Sequence, residues 1–166
     1  MLYLFDANVL ITASNTYYRI EDIPEFWEWI EHQAKSGQIK LPLEMLEEIL
    51  AGTKNDDPLL GWVKQHKGAL CLAEAVDAAL VDTVVTKGYA PDLTDAELEE
   101  IGNDPFLIAY AMKDKERCVV TTEVSSPKKQ RQNRKIPDVC NTFGVTCLNP
   151  FSVYKTLGFR TAWKSQ

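Results

Sequence analysis

Leu2-Tyr3-Leu4-Phe5-Asp6-Ala7-Asn8-Val9-Leu10-Ile11 is the stretch that decides the fold class. Four apolar residues ending at a polar one read as a buried strand. The DANVLITAS run that begins at Asp6 reads as a turn into a helix. A carboxylate at the C-terminal end of such a strand sits where open parallel α/β sheets place their ligands. Three further acids occupy comparable places: a glutamate in LEEIL (Glu47 or Glu48), Asp104 in NDPFLIAYA, and Glu123 directly after Cys118-Val119-Val120-Thr121-Thr122. Acids brought together at one sheet edge repel one another unless a cation neutralises them. A cluster of carboxylate oxygens suits Mg²⁺ or Mn²⁺. The pattern therefore predicts metal-dependent phosphodiester chemistry.

Outward from this stretch the chain alternates strand-like and helix-like segments. Asp22 or a neighbour is expected to cap a helix with Pro24 in its first turn, carrying Phe26, Trp27, Trp29 and Ile30 and ending near Gly37. A short strand, Ile39-Lys40-Leu41, leads through Pro42 into the helix LEMLEEILAG, which stops at Gly52. Asp57-Pro58 opens a further helix that runs to Gly68. Residues 74–87 have helical spacing, and Thr94-Asp95-Ala96-Glu97 is a capping-box pattern. Asn103 or Asp104 begins a strongly apolar helix, and residues 118–122 are the clearest strand. A basic loop over 125–137 precedes a short helix at Asp138–Phe143, a strand at 145–148 and a last helix after Pro150. This order predicts one α/β domain over residues 1–166, with a mainly parallel central sheet flanked by helices.

The 166 residues suffice for one sizeable core, and 45% hydrophobic with 25% charged residues is ordinary for a soluble globular protein. The apolar stretch before Asp6 is too short for a signal peptide, and no run approaches the roughly 18 apolar residues of a membrane span. The expectation is a cytoplasmic protein with no membrane contact. Cys71, Cys118, Cys140 and Cys147 form no CxxC pair, and His32 and His66 lie far from them, so a zinc site is not expected. The net charge of −6 opposes a nucleic-acid partner, but its distribution is uneven. Between Lys113 and Lys135 eight basic residues face three acidic ones, a local +5 that leaves −11 on the rest. Such an arm fits phosphate binding beside an acidic metal site, and fits docking to an acidic protein equally well.

Each acid also has a structural role open to it. Asp6 suits the N-cap of the helix beginning near Ala7, with Asn8 placed to hold its carboxylate or to satisfy turn backbone. Asp104 before Pro105 suits a helix N-cap, and the same helix end favours an anionic phosphate. Glu123 and the adjacent Thr121 and Thr122 fit a loop start, or a site where a threonine hydroxyl donates to phosphate or to a metal-bound water. Asp138 is a fifth candidate, with capping its expected task.

FDAN, the FWEWI helix, LEEILAG, NDPFLIAYA, VVTTE and KIPDVCNTFGVTCL, taken in order, resemble the PIN-domain family of metal-dependent nucleases over nearly the whole chain. Many bacterial members of that family are ribonuclease toxins of toxin–antitoxin pairs. The resemblance selects Glu48 over Glu47. It implies that Asp6, Glu48, Asp104 and Glu123 bind one or two Mg²⁺ or Mn²⁺ ions for RNA hydrolysis, with Thr121 or Thr122 near the metal. It further implies a cognate antitoxin and a homodimer, for which the aromatic second helix is a plausible interface. Many family members have Asp where this chain has Glu123. The extra methylene moves the carboxylate by about 1.5 Å and leaves direct or water-mediated ligation open. The loop carrying Lys128, Lys129 and Arg131 is not required by the commonest short members and is expected to touch RNA phosphates or a partner.

Two other readings compete. One is a haloacid-dehalogenase-like phosphatase with Asp6 as nucleophile, although Asn8 stands where that family's second acid would be. The other is a non-catalytic module on the same fold, presenting Tyr17, Tyr18, Trp27 and Trp29 to a partner. No GxGxxG or GxxxxGK[ST] motif supports dinucleotide or P-loop chemistry.

Overall fold

The computed structural model describes every residue except Thr53, Asn55 and Gln166. Four strands, β1 (Leu2–Phe5), β2 (Ile39–Lys40), β3 (Arg117–Val120) and β4 (Thr146–Leu148), form one parallel sheet in the order β2-β1-β3-β4. β1 pairs with β3 from Leu2↔Arg117 to Phe5↔Val120, and with β2 through Tyr3↔Ile39. The two central strands carry apolar residues on both faces because helices cover both sides of the sheet. Leu4, Phe5, Val119 and Val120 are fully buried. This is the expected α/β architecture.

The helices are α1 (Ala7–Thr12), α2 (Pro24–Lys35), α3 (Leu43–Gly52), α4 (Pro58–Leu70), α5 (Ala78–Thr83), α6 (Asp95–Ile101), α7 (Asp104–Met112), α8 (Ile136–Thr142) and α9 (Pro150–Thr156). Two of them widen into π turns, α1 over Ala13–Tyr17 and α5 over Val84–Tyr89. The capping box at Thr94 forms in both directions, with Glu97 N donating to Thr94 Oγ1 and Thr94 N to Glu97 Oε2. Among the described residues no helix is long and apolar enough to cross a membrane.

Three local expectations are corrected. Asp22 does not cap α2: Ile23 holds that position without a side-chain cap, because the Asp22 carboxylate turns to Arg19 at 3.5 Å. The helix expected over 74–87 begins only at Ala78, capped by Asp77, and Glu74 is drawn instead to Arg117 and Lys113. The helix expected from Asp138 starts two residues earlier, at Ile136.

The aromatic second helix faces inward. Phe26, Trp27 and Trp29 are buried, and Phe26 stacks on Tyr18 with ring centroids 4.2 Å apart. Trp27 Nε1 donates to the Tyr18 carbonyl at 2.6 Å, and Tyr154 and Phe159 close the cluster. An interface built on Trp27 and Trp29 is therefore excluded for the folded chain, since those rings fill the core between α2, α4 and α9. Of the four aromatics considered for a partner, Tyr17 alone is exposed.

Glu74 joins the segment before α5 to the first residue of β3. Arg117 grips its carboxylate with two hydrogen bonds of 3.0 and 2.7 Å, and Lys113 Nζ approaches to 2.6 Å. The Arg117 hydrogen bonds, followed by Lys113, hold the Glu74 carboxyl down to about 2. A depressed carboxyl stabilises the fold above its unfolded value of 4.5 and loses that contribution as pH falls toward 2. Glu74→Gln is expected to lower unfolding free energy at pH 7 by about 1–2 kcal/mol, a deficit that shrinks between pH 5 and pH 3 in urea titrations. A deficit independent of pH would assign the loss to packing.

Candidate active site

The strand order β2-β1-β3-β4 reverses direction of growth between β1 and β3, which is the topological switch point of an open parallel sheet. Asp6 and Thr121 immediately follow those two strands. The Thr121 hydroxyl donates to Asp6 Oδ2 at 2.7 Å across the crevice, and both side chains are almost fully buried. Asp6 also caps α1: Asn8 N and Asn8 Nδ2 lie 3.5 and 3.4 Å from its two oxygens. Capping and site placement therefore coincide in one residue. Burial is the main cause that pushes the Asp6 carboxyl above its ordinary value, and the charge of Glu123 adds to it. The hydrogen bonds from Thr121 and Asn8 work in the opposite direction.

Glu48 comes from α3. Partial burial, then the Asp6 charge, raises its carboxyl, while a hydrogen bond from Asn103 opposes the rise. The charge of Asp6 thus bears on Glu48. Asp104 is the first residue of α7, and the N-cap position belongs to Asn103, so Asp104 is not a cap. Its carboxyl is pushed up to about 8, first by burial and then by the charges of Asp6, Glu123 and Glu48, with Lys135 pulling the other way. The charges of Asp6, Glu123 and Glu48 thus all bear on Asp104.

Glu123 has a second set of partners. Lys135 Nζ and Ile136 N donate to its two oxygens, each at 2.8 Å, so its carboxylate closes the N-terminus of α8. Its own N–H donates to Thr121 Oγ1 at 3.1 Å. The single Thr121 proton goes to Asp6, which makes this hydroxyl a brace for the carboxylate rather than a donor to an incoming group. Thr122 is half-buried and lines a small apolar cleft with Val9, Tyr17 and Phe151. Asp138 does not cap α8: it accepts from Ser125 Oγ and from Ser126 N, pinning the loop that leaves the site.

That loop is less basic in effect than in composition. Arg131, held at a positive φ of 54°, binds Glu97 through Nε and Nη2 at 2.8 Å each and Asp92 at 2.7 Å. Arg134 donates to the Gly88 carbonyl, the Asp138 carbonyl and Thr142 Oγ1. With Lys113, Arg117 and Lys135 also paired, Lys128 and Lys129 remain as exposed loop cations without an ion-pair partner among the described residues.

The sequence reading missed Asn103, Lys135 and Tyr89. Asn103 Nδ2 lies 3.4 Å from the Glu44 carbonyl and joins α7 to α3. Tyr89, at the end of the π turn, is buried, and burial, then the charges of Asp104 and Glu123, push its hydroxyl far above its ordinary range. Asn103 was legible as the neighbour of Asp104. Nothing local marked the other two.

The donor set is oxygen throughout, which suits Mg²⁺ or Mn²⁺, and the Asp104 carboxyl is raised first by burial and then by the charges of its neighbours. Among the described residues no three acidic, histidine or cysteine side chains are arranged to grip an ion as they stand. Asp6 is turned to Thr121 and Asn8, and Glu123 to Lys135 and Ile136. By donor chemistry and charge the site fits a divalent cation, with Asp6, Glu48 and Asp104 as the holding groups and Glu123 at the margin.

The family model described as "Domain of unknown function (DUF4411)" matches residues 3–161, and the chain belongs to that family. No curated protein and no solved structure matches the chain.

Because the Asp104 carboxyl is raised from 3.8 to about 8, its contribution to stability is complete below pH 3.8 and is lost progressively up to about pH 8. Asp104→Asn is therefore expected to be more stable than the parent chain in EDTA at pH 8, by roughly 2–4 kcal/mol, with a correspondingly higher melting temperature, and to show little advantage at pH 4. Thermal melts at the two pH values check this. A variant that is less stable at both would mean the carboxylate is held by contacts rather than strained by its neighbours.

Proposed function

We propose that this DUF4411-family chain is a divalent-cation-dependent endoribonuclease, hydrolysing phosphodiester bonds of RNA at the Asp6–Glu48–Asp104–Glu123 centre. The observation that carries the reading is the place of Asp6, held by Thr121 at the switch point of a parallel sheet, with the Asp104 carboxyl raised by burial and by the charges of Asp6, Glu123 and Glu48. Buried carboxylates set against one another destabilise a fold, and a bound cation relieves that cost. When bound, Mg²⁺ or Mn²⁺ would supply water activation and stabilisation of the leaving oxygen.

The chain's own residues prepare the place. Thr121 and Asn8 fix the Asp6 carboxylate, and Asn103 steadies Glu48 from the start of α7. Lys135 neutralises part of Glu123 and so tempers the acidity of the rim. Lys128 and Lys129 are placed on the loop that leaves Glu123, where they would meet the phosphates flanking the cut. Restraint by an antitoxin, action in the cytoplasm and pairing into a homodimer extend the same reading by resemblance to PIN-domain toxins.

Purified protein is expected to cut labelled single-stranded RNA with Mn²⁺ or Mg²⁺, and to lose at least about 100-fold in rate with EDTA or as Asp6→Asn. The cation should also raise the melting temperature of the parent chain more than that of Asp104→Asn. Intact RNA together with an unchanged melting temperature would refute the reading.

Replacing Lys128 and Lys129 by Ala is expected to flatten the log–log salt dependence of RNA binding by about 1.4, at roughly 0.7 per phosphate contact on a single strand. An unchanged slope in fluorescence-anisotropy titrations would take the loop away from the RNA.

A further inference from the structure

Beside the acidic centre, the same edge of the sheet carries an aromatic pair that the proposed chemistry leaves unused. Thr121 N donates to the Leu148 carbonyl at 3.2 Å, so the end of β4 lies against the end of β3. Asn149 and Pro150 follow at once and bring Phe151 into the first turn of α9. From the other side, α1 starts at Ala7 and its π turn ends on Tyr17. The two rings meet edge to face, with centroids 5.1 Å apart and planes at 86°. They close the narrow cleft that Val9, Thr12, Thr122 and Pro150 also line. Val9 and Thr122 directly follow Asn8 and Thr121 in the chain, so the cleft is continuous with the residues that hold Asp6.

The pair is open to solvent where its neighbours are not: Tyr17 is 53% exposed and Phe151 46%, against 5% for Tyr154 behind them. Its mount is rigid. Phe151 leans on Tyr154 at 6.0 Å, and Tyr154 on Phe26 at 5.1 Å. Tyr18 N donates to the Ala13 carbonyl at 2.7 Å, and Trp27 Nε1 holds the Tyr18 carbonyl, which fixes the segment carrying Tyr17. Among the described residues no charged side chain lines the cleft, so a strand of phosphates meets no carboxylate on its walls. The open half of two aromatic side chains is on the order of 200 Å², far below the roughly 800 Å² that each partner of a stable protein complex buries. It suits the flat face of a nucleobase, which stacks on an aromatic ring whatever its identity.

We propose that Tyr17 and Phe151 form a stacking subsite for an unpaired base of the RNA strand whose phosphate enters the acidic centre, an assignment that rests on the nuclease reading above. A base inside a duplex keeps both faces covered by its neighbours, so the subsite selects single-stranded RNA. Stacking tolerates every base, so it selects no sequence.

The test is fluorescence anisotropy with a labelled single-stranded RNA, on the full-length chain made cleavage-deficient by Asp6→Asn. Adding Tyr17→Leu or Phe151→Leu keeps an apolar side chain and removes the π face. Each is expected to weaken binding about tenfold, at an unchanged melting temperature and an unchanged salt slope, because no phosphate contact is lost. Phe151→Trp keeps a π face and should bind at least as tightly as Phe151. An abasic position scanned along the RNA should cost about tenfold at one place, and nothing further there once Phe151 is Leu. Unchanged RNA binding by both leucine variants would overturn the subsite and leave the nuclease reading in place. So would a dimer that Phe151→Glu dissociates with its RNA affinity intact, since the rings would then serve a second copy. Lower melting temperatures in the leucine and tryptophan variants alike would give the rings to the fold and overturn it too. A chain without these changes that neither binds nor cuts RNA removes the nuclease reading and this assignment together.

Discussion

The 2.7 Å hydrogen bond from Thr121 to Asp6 is the contact on which the site depends, because it joins the ends of the two central strands at the switch point of the sheet. A parallel pair has no hairpin to lock its ends. Here the backbone bond from Asp6 N to the Val120 carbonyl and the side-chain bond beside it extend the β1–β3 ladder by one step. The same carboxylate starts α1, so strand, crevice and helix are set by a single residue. Removing water from around Asp6 is the cost of this economy of parts. Its two neutral donors offset that cost only in part, and the charge of Glu123 makes it larger.

The acids are held apart as much as brought together. Glu123 is drawn outward to Lys135 and the N-terminus of α8, and Asp138 ties the following serines back to the same helix. Among the described residues Asp104 has no ion-pair partner, and the charges of Asp6, Glu123 and Glu48 bear on it, with Lys135 in opposition. Pairing an acid with a lysine is one way to relieve such a cluster, and binding a cation is another. The structure shows the first at the rim. The second is the basis of the proposed activity, and it would act at the centre, where Asp6, Glu48 and Asp104 remain. The basic segment follows similar logic. Most of its charge closes the protein upon itself, through Arg117 to Glu74 and Arg131 to Glu97 and Asp92, so a local surplus of positive residues does not become a positive surface.

Much of this was readable from single segments. LYLFD and CVVTTE announced strands ending at an acid, and TDAE announced a capping box, because those signals rest on neighbours one to four residues apart. Asp6, Asp104 and Glu123 stood out for the same reason, since each follows a strand or begins a helix, whereas Glu48, inside α3, was singled out by the resemblance. The failures also have physical causes. Asp22 and Asp138 looked like caps, but each carboxylate found a better partner, Arg19 or the Ser125–Ser126 turn. Trp27 and Trp29 were entertained as an interface because a helix with an aromatic face does not say whether its partner is the same chain or another one. Arg131 was read as a phosphate ligand because its acidic partners lie more than 30 residues away.

By itself the sequence determined the alternation of strands and helices and the parallel class of the sheet, since periodicity and chain punctuation are local properties. Only the tertiary structure decided which charges meet. It set the charge of Asp6 against Glu48, turned Glu123 toward Lys135, and bound Arg131 to Glu97 and Asp92. Those outcomes follow from packing between elements far apart in the chain, where distances of a few ångströms fix both the desolvation of a carboxylate and the strength of its neighbours' charge.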